Sequence, residues 1–148
     1  MKLSPTMHSD VLLVDDNRDG LLVRRALIEE QGFQVQIADN GEDGLRLFTS
    51  RHFGVVVTDY RMPHMKGTEL IERLRQIDPS VRVILLSTLV EPLGLTEENT
   101  GADAVVAKNS REAVHLVRAV KRLLNHAPSR KPPRSQGKSL VSARASVR

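Results

Sequence analysis

The stretch Gly54-Val55-Val56-Val57-Thr58-Asp59-Tyr60-Arg61-Met62-Pro63 carries, after its glycine, four β-branched residues in succession. Side chains stiff at χ1 favour a strand over a helix. The apolar run leaves no polar face for water, so the strand must be covered on both sides. It ends abruptly on a carboxylate, Asp59, and Met62-Pro63 then breaks the chain. A strand buried on both faces belongs to a parallel sheet clad in helices.

The flanking sequence supplies the partners such a sheet needs. Upstream, Val11-Leu12-Leu13-Val14 is a second apolar run, and it ends in Asp15-Asp16-Asn17. Between the two runs, Leu22, Val23, Ala26 and Leu27 recur at helical spacing, and Gly32 is placed to stop that helix. Phe33, Val35 and Ile37 alternate with Gln34 and Gln36, the pattern of a half-exposed edge strand. Gly41 to Arg51 reads as a short helix with Leu45 and Phe48 inward. Downstream, Leu70, Ile71, Leu74 and Ile77 form a third helical stripe that ends before Pro79. Val81 to Ser87 reads as a fourth strand and Ala104 to Ala107 as a fifth. Ser110 is a candidate cap for the last helix, with Glu112 in its first turn and Ala113, Val117, Val120 and Leu124 inward. The alternation predicts an α/β fold, a doubly wound parallel sheet with helices on both faces.

At 148 residues the chain is long enough for one domain with its own core. It has no cysteine, which excludes disulfides, thiolate catalysis and cysteine zinc sites. Six of the 22 basic residues lie after residue 126 with no acid among them, and the other 16 face 18 acids. A mildly acidic domain over residues 9–126 is therefore expected, with an N-terminal arm at 1–8 and a basic, flexible tail at 127–148. The tail is too short for a helix-turn-helix output domain and lacks aromatic residues for base stacking, so no specific DNA binding is expected. No apolar stretch reaches bilayer-spanning length, and the N-terminus lacks the apolar core of a signal peptide, so a cytoplasmic protein is expected.

Ligands of an open parallel sheet bind beyond the carboxyl ends of its strands. Here those ends carry Asp15-Asp16, Asp59, Ser87-Thr88 and, directly after the fifth strand, Lys108. Three carboxylates offer hard oxygen ligands to Mg²⁺, and a cation relieves their mutual repulsion. One carboxylate is a possible nucleophile toward phosphorus, a lysine supplies positive charge to a phosphoryl oxygen, and a hydroxyl donates to another. Taken singly, Asp-Asp-Asn is an ordinary turn, Ser87 a local hydrogen-bonding residue and Lys108 a loop lysine. Their joint occurrence at successive strand ends is what points to a site. His8, His52, His64, His115 and His126 show no ligand spacing.

The segments Val11–Asn17, Val55–Pro63 with Lys66-Gly67, Val83–Thr88 and Gly101–Lys108 resemble the receiver domain of bacterial two-component response regulators, over roughly residues 9 to 126. The resemblance implies a flavodoxin-like fold with strand order 2-1-3-4-5. It implies Asp59 as phosphoacceptor, and Asp15, Asp16, Asp59 and the backbone carbonyl of Arg61 as the Mg²⁺ site. Ser87 would be the switch hydroxyl and Lys108 the phosphate-binding lysine. A sensor histidine kinase or histidine phosphotransfer protein would donate the phosphoryl group, and a downstream partner protein would read the result. Catalysis would be limited to self-phosphorylation and autodephosphorylation. Such a chain would be a single-domain regulator; the alternative is a phosphorylation-independent interaction module on the same fold. An aspartyl-phosphate phosphatase of another class would instead place its paired aspartates as Asp-x-Asp at the first strand end.

Three positions depart from the family's pattern. Val105 stands where relatives carry an aromatic residue three positions before the lysine. Asn109 follows the lysine in place of a cis-linked proline, so the loop is expected to be either trans and rearranged, or strained. Pro92 and Gly94 oppose a helix over Leu89–Thr100, leaving only a turn over about Thr96–Thr100, capped by Thr96, and hence an irregular fourth helix.

Overall fold

The computed structural model describes residues 10–125; the arm and the basic tail expected from the sequence lie outside the described residues. Five strands, β1 (Asp10–Val14), β2 (Gln34–Ala38), β3 (Val55–Asp59), β4 (Val83–Ser87) and β5 (Ala104–Ala107), alternate with helices. The helices are α1 (Arg18–Glu29), α2 (Gly41–Ser50), α3 (Gly67–Ile77), two short pieces α4 (Val90–Leu93) and α5 (Glu97–Thr100), and α6 (Glu112–Asn125). The strands pair in parallel in the order β2-β1-β3-β4-β5, which is the expected doubly wound sheet. The chain leaves β1 for β2 on one side and returns to β3 on the other. The ends of β1 and β3 therefore flank the switch point where such folds bind ligands.

Strand alternation explains the apolar runs of the central strands. Val11, Leu13, Val55, Val57, Ile84 and Leu86 face one core, closed by Leu21 and Ile28 of α1 and by Leu116 and Val120 of α6. Leu12, Val14, Val56, Val83 and Leu85 face the other, closed by Phe48 of α2 and by Leu70, Ile71 and Leu74 of α3. Each apolar residue of these runs is inside one core or the other, so neither face is left for water. Among the described residues no helix is long and apolar enough to cross a membrane.

Helix facings depart from the sequence reading in particular places. In α1 the buried residues are Leu21 and Ile28, whereas Leu22 and Val23 are 40% and 61% exposed. Leu21, Arg24 and Ile28 share the inward line, and Arg24 holds its place there through an ion pair with Asp15. Apolar residues occur almost all round this helix, so periodicity alone does not choose the face. In α6 the inward residues are Leu116, Ala119, Val120 and Leu124, with Ala113 exposed. Ile77, at the end of α3, is also exposed. Ser110 does not cap α6: the helix starts at Glu112, and Asn109 organises the turn by accepting the Arg111 N–H on its side chain at 2.8 Å and the Glu112 N–H on its carbonyl at 3.0 Å.

The segment after β4 is irregular as expected, with an added turn. α5 forms where the sequence allowed it, with a reciprocal box between Thr96 and Asn99. α4, in contrast, forms despite Pro92. That proline lies in the first helical turn, where its missing N–H has no partner to lose, and Gly94 ends the turn at φ 61°. Glu97 of α5 accepts the Val105 N–H at 3.2 Å on edge strand β5.

Candidate functional site

At the carboxyl end of β1, the Asp15 N–H donates to the Ala38 carbonyl at 3.1 Å, which ties the residue to β2. Asp15 is buried at 2% exposure, while Asp16 points to solvent. One Asp15 oxygen, Oδ1, accepts the Asn17 N–H at 3.0 Å. Asn17 in turn caps α1 by accepting the Gly20 N–H at 3.0 Å. Asp59 closes β3 at 7% exposure. The chain folds sharply over it: a Cβ on Gly67 would lie 2.3 Å from the Asp59 carbonyl oxygen, so α3 begins on a glycine. Carboxylate oxygens of Asp15, Asp16 and Asp59 come within 4.8 Å of one another.

Lys108 extends from the end of β5 across this cluster. Its ammonium is 2.6 Å from Asp59 Oδ1 and 3.3 Å from Asp15 Oδ2. Its backbone N–H donates to the Ser87 carbonyl at 2.9 Å, so the β4–β5 pairing sets where the lysine starts. No peptide bond among the described residues is cis. The Lys108–Asn109 linkage is thus trans, and the ammonium still reaches Asp59. Ser87 is buried, and its Oγ accepts the Leu89 N–H at 2.8 Å, leaving the hydroxyl proton free to donate. Arg61 follows β3 by two positions, at the same end of the sheet.

Burial pushes the Asp59 carboxyl above its ordinary range. Lys108 pulls it back, and Asp15 and Asp16 push it further up. A site that crowds carboxylates against the cost of burial favours a compact divalent cation with oxygen ligands. The donor set therefore fits Mg²⁺.

A family model, the response regulator receiver domain, matches residues 11–121. The chain belongs to the response regulator receiver family. Receivers accept a phosphoryl group on an aspartate, bind Mg²⁺ at an acidic cluster and interact with histidine kinases. Among similar proteins, a response regulator receiver protein of Anaeromyxobacter sp. is 39% identical over 79 residues, covering 53% of this chain and 33% of that one. The virulence-factor transcription regulator BvgA of Bordetella pertussis is 33% identical over 129 residues, covering 83% of this chain and 61% of that one. The receiver thus spans less than two thirds of either relative. Among solved structures, response regulator TrrA of Thermotoga maritima, in complex with Mg²⁺ and BeF, superposes with a TM-score of 0.69 at 28% identity, over 78% of this chain and 98% of that one.

The receiver brings together Asp15, Asp16, Asp59 and Lys108, and sets Ser87 at the neighbouring strand end. The sequence reading missed Arg24. Its Nη1 is 2.9 Å from Asp15 Oδ2 and its Nε is 2.5 Å from Glu112 Oε2, in the first turn of α6. Burial works against the Arg24 charge, but Glu112 and Asp15 outweigh it and hold the guanidinium above its ordinary value. One signal was available: Gly20 sits four residues before Arg24 inside a helix, where glycine is unfavourable unless something lies close.

Proposed function

We propose that this receiver is a phospho-switch in which Asp59 takes a phosphoryl group from a phosphohistidine of a sensor kinase or phosphotransfer protein. The observation that carries this reading is Lys108 Nζ at 2.6 Å from Asp59 Oδ1, beside the carboxylates of Asp15 and Asp16. Asp59 supplies the oxygen that forms the new P–O bond, the donor's N–P bond breaks, and the imidazole leaves as the neutral base once protonated. Lys108 neutralises a phosphoryl oxygen. The Ser87 proton serves a second oxygen, which gives the β4 end a contact that depends on phosphorylation. Asp15, Asp16, Asp59 and the Arg61 carbonyl would hold Mg²⁺, which supplies charge neutralisation when bound. Apart from taking up and losing its own phosphoryl group, the chain catalyses nothing in this reading. It acts in the cytoplasm by changing its affinity for a downstream protein partner.

The test is intact-mass spectrometry after incubation with acetyl phosphate, with and without Mg²⁺, on the parent and on Asp59→Asn. A Mg²⁺-dependent gain of one phosphoryl group, lost in the variant, is the expected result. No gain in the folded parent under any condition would overturn the proposal and favour an interaction module that works without phosphorylation.

A further inference from the structure

Both carboxylate oxygens of Asp15 have partners within the protein. Its Oδ1 accepts the Asn17 N–H at 3.0 Å, while its Oδ2 meets both Arg24 at 2.9 Å and Lys108 at 3.3 Å. Lys108 is shared with Asp59, as the phosphoryl chemistry requires. That chemistry gives Arg24 no part. It is a second, nearly buried positive charge on the carboxylate cluster, with its side chain 11% exposed.

Two features show that the structure accommodates this arginine. A Cβ on Gly20 would lie 2.8 Å from Arg24 Nη1, so the absence of a side chain at Gly20 is what lets the guanidinium lie across the first turn of α1. Glu112 takes the other edge of the fork at 2.5 Å. The guanidinium is therefore divided between a carboxylate of the metal cluster and one that opens α6.

We propose that Arg24 is a resident counter-cation of the acidic site, which opposes Mg²⁺ at Asp15 with a strength set by how Glu112 and Gly20 hold its guanidinium. The proposal rests on reading Asp15, Asp16 and Asp59 as the Mg²⁺ site. A fixed positive charge beside a cation site lowers cation affinity through Coulomb repulsion. It also keeps Asp15 Oδ2 occupied by a charge-assisted hydrogen bond that the metal or its water must displace. Glu112 weakens the repulsion by compensating the guanidinium's charge from its other edge. The three residues together tune how much Mg²⁺ the switch needs before it accepts a phosphoryl group.

The experiment is isothermal titration of MgCl₂ into the full chain, without phosphodonor, for the parent, Arg24→Met, Gly20→Ala and Glu112→Gln. Arg24→Met is expected to tighten Mg²⁺ binding on the order of tenfold. Gly20→Ala is expected to tighten it in the same direction but less, because the new methyl displaces the guanidinium while the charge remains on the chain. It also removes a helical glycine, which favours folding. Glu112→Gln is expected to weaken binding, because the charge of Arg24 then loses its compensating carboxylate, and to do so little when combined with Arg24→Met. If Arg24 merely braced the site, all three changes would weaken binding or leave it within twofold, and that result would overturn the proposal. Should none of the proteins, parent included, take up Mg²⁺, the metal-site reading itself falls and the role of Arg24 falls with it.

Discussion

Asp59 is held between burial, which disfavours its charge, and the Lys108 ammonium, which favours it; burial with the neighbouring aspartates prevails, and its carboxyl lies above the ordinary range. The sign of the consequence for stability follows from linkage. A carboxyl whose folded pKa exceeds its unfolded one stabilises the fold below the unfolded value, about pH 4. That contribution is lost as pH rises through the folded value. At neutral pH without Mg²⁺ the ionised Asp59 is thus a burden on the fold, and Asp59→Asn is expected to melt no lower than the parent. As the pH falls toward about 4, the parent should gain on the variant, because Asp59 protonates. Thermal melts of both proteins in chelator across this range check the sign. A parent that loses ground to the variant on acidification would contradict it. Asp59, Asp15 and Asp16 stood out in the sequence because they close two apolar runs. Arg24 did not, because its local mark, Gly20 one turn earlier, leaves open which side of the helix the arginine takes.

At the scale of elements, core packing of Leu21 and Ile28 and the Arg24–Asp15 ion pair lie on one side of α1. The inward line carries Leu21, Arg24 and Ile28, and the apolar Leu22 and Val23 are turned outward. Leu21→Ala is expected to cost about 2 to 5 kcal/mol, since it opens a cavity in a close-packed core. Leu22→Ala should stay within about 0.5 kcal/mol, as for an ordinary surface change. Urea denaturation of the two variants separates the observed facing from the one that periodicity suggests; equal losses would mean that the helix is not turned this way. The short α4 and α5 carry a related lesson. Pro92 rules out a long helix over this segment but not a turn that starts two residues before it, so a breaker in the sequence predicts helix length better than helix absence.

At the scale of the molecule, two cores on opposite faces of one sheet hold the carboxylate cluster at the shared ends of β1 and β3. A ligand that binds only the folded state adds to the stability of the whole domain. MgCl₂ at a hundred times its Kd is expected to raise the unfolding free energy by about 2.7 kcal/mol. Asp16→Ala changes an exposed side chain, so it should leave the metal-free protein nearly as stable as the parent while cutting this gain. Unfolding midpoints with and without MgCl₂ measure both, and an equal gain in the two proteins would point to general ionic effects instead of a site. The strands, their parallel pairing and the three aspartates follow from local sequence. A run of β-branched and apolar residues carries its own demand for burial on both faces, and a carboxylate at its end lies at the carboxyl end of the sheet by chain continuity alone. The rotation of α1, the reach of Lys108 from the end of β5 to Asp59, and the sharing of Arg24 between Asp15 and Glu112 came only with the packed fold. The Arg24 and Lys108 ion pairs join residues distant in the chain, nine positions apart for Asp15 and Arg24 and 93 for Asp15 and Lys108, and such contacts are selected by packing and charge pairing that no local pattern encodes.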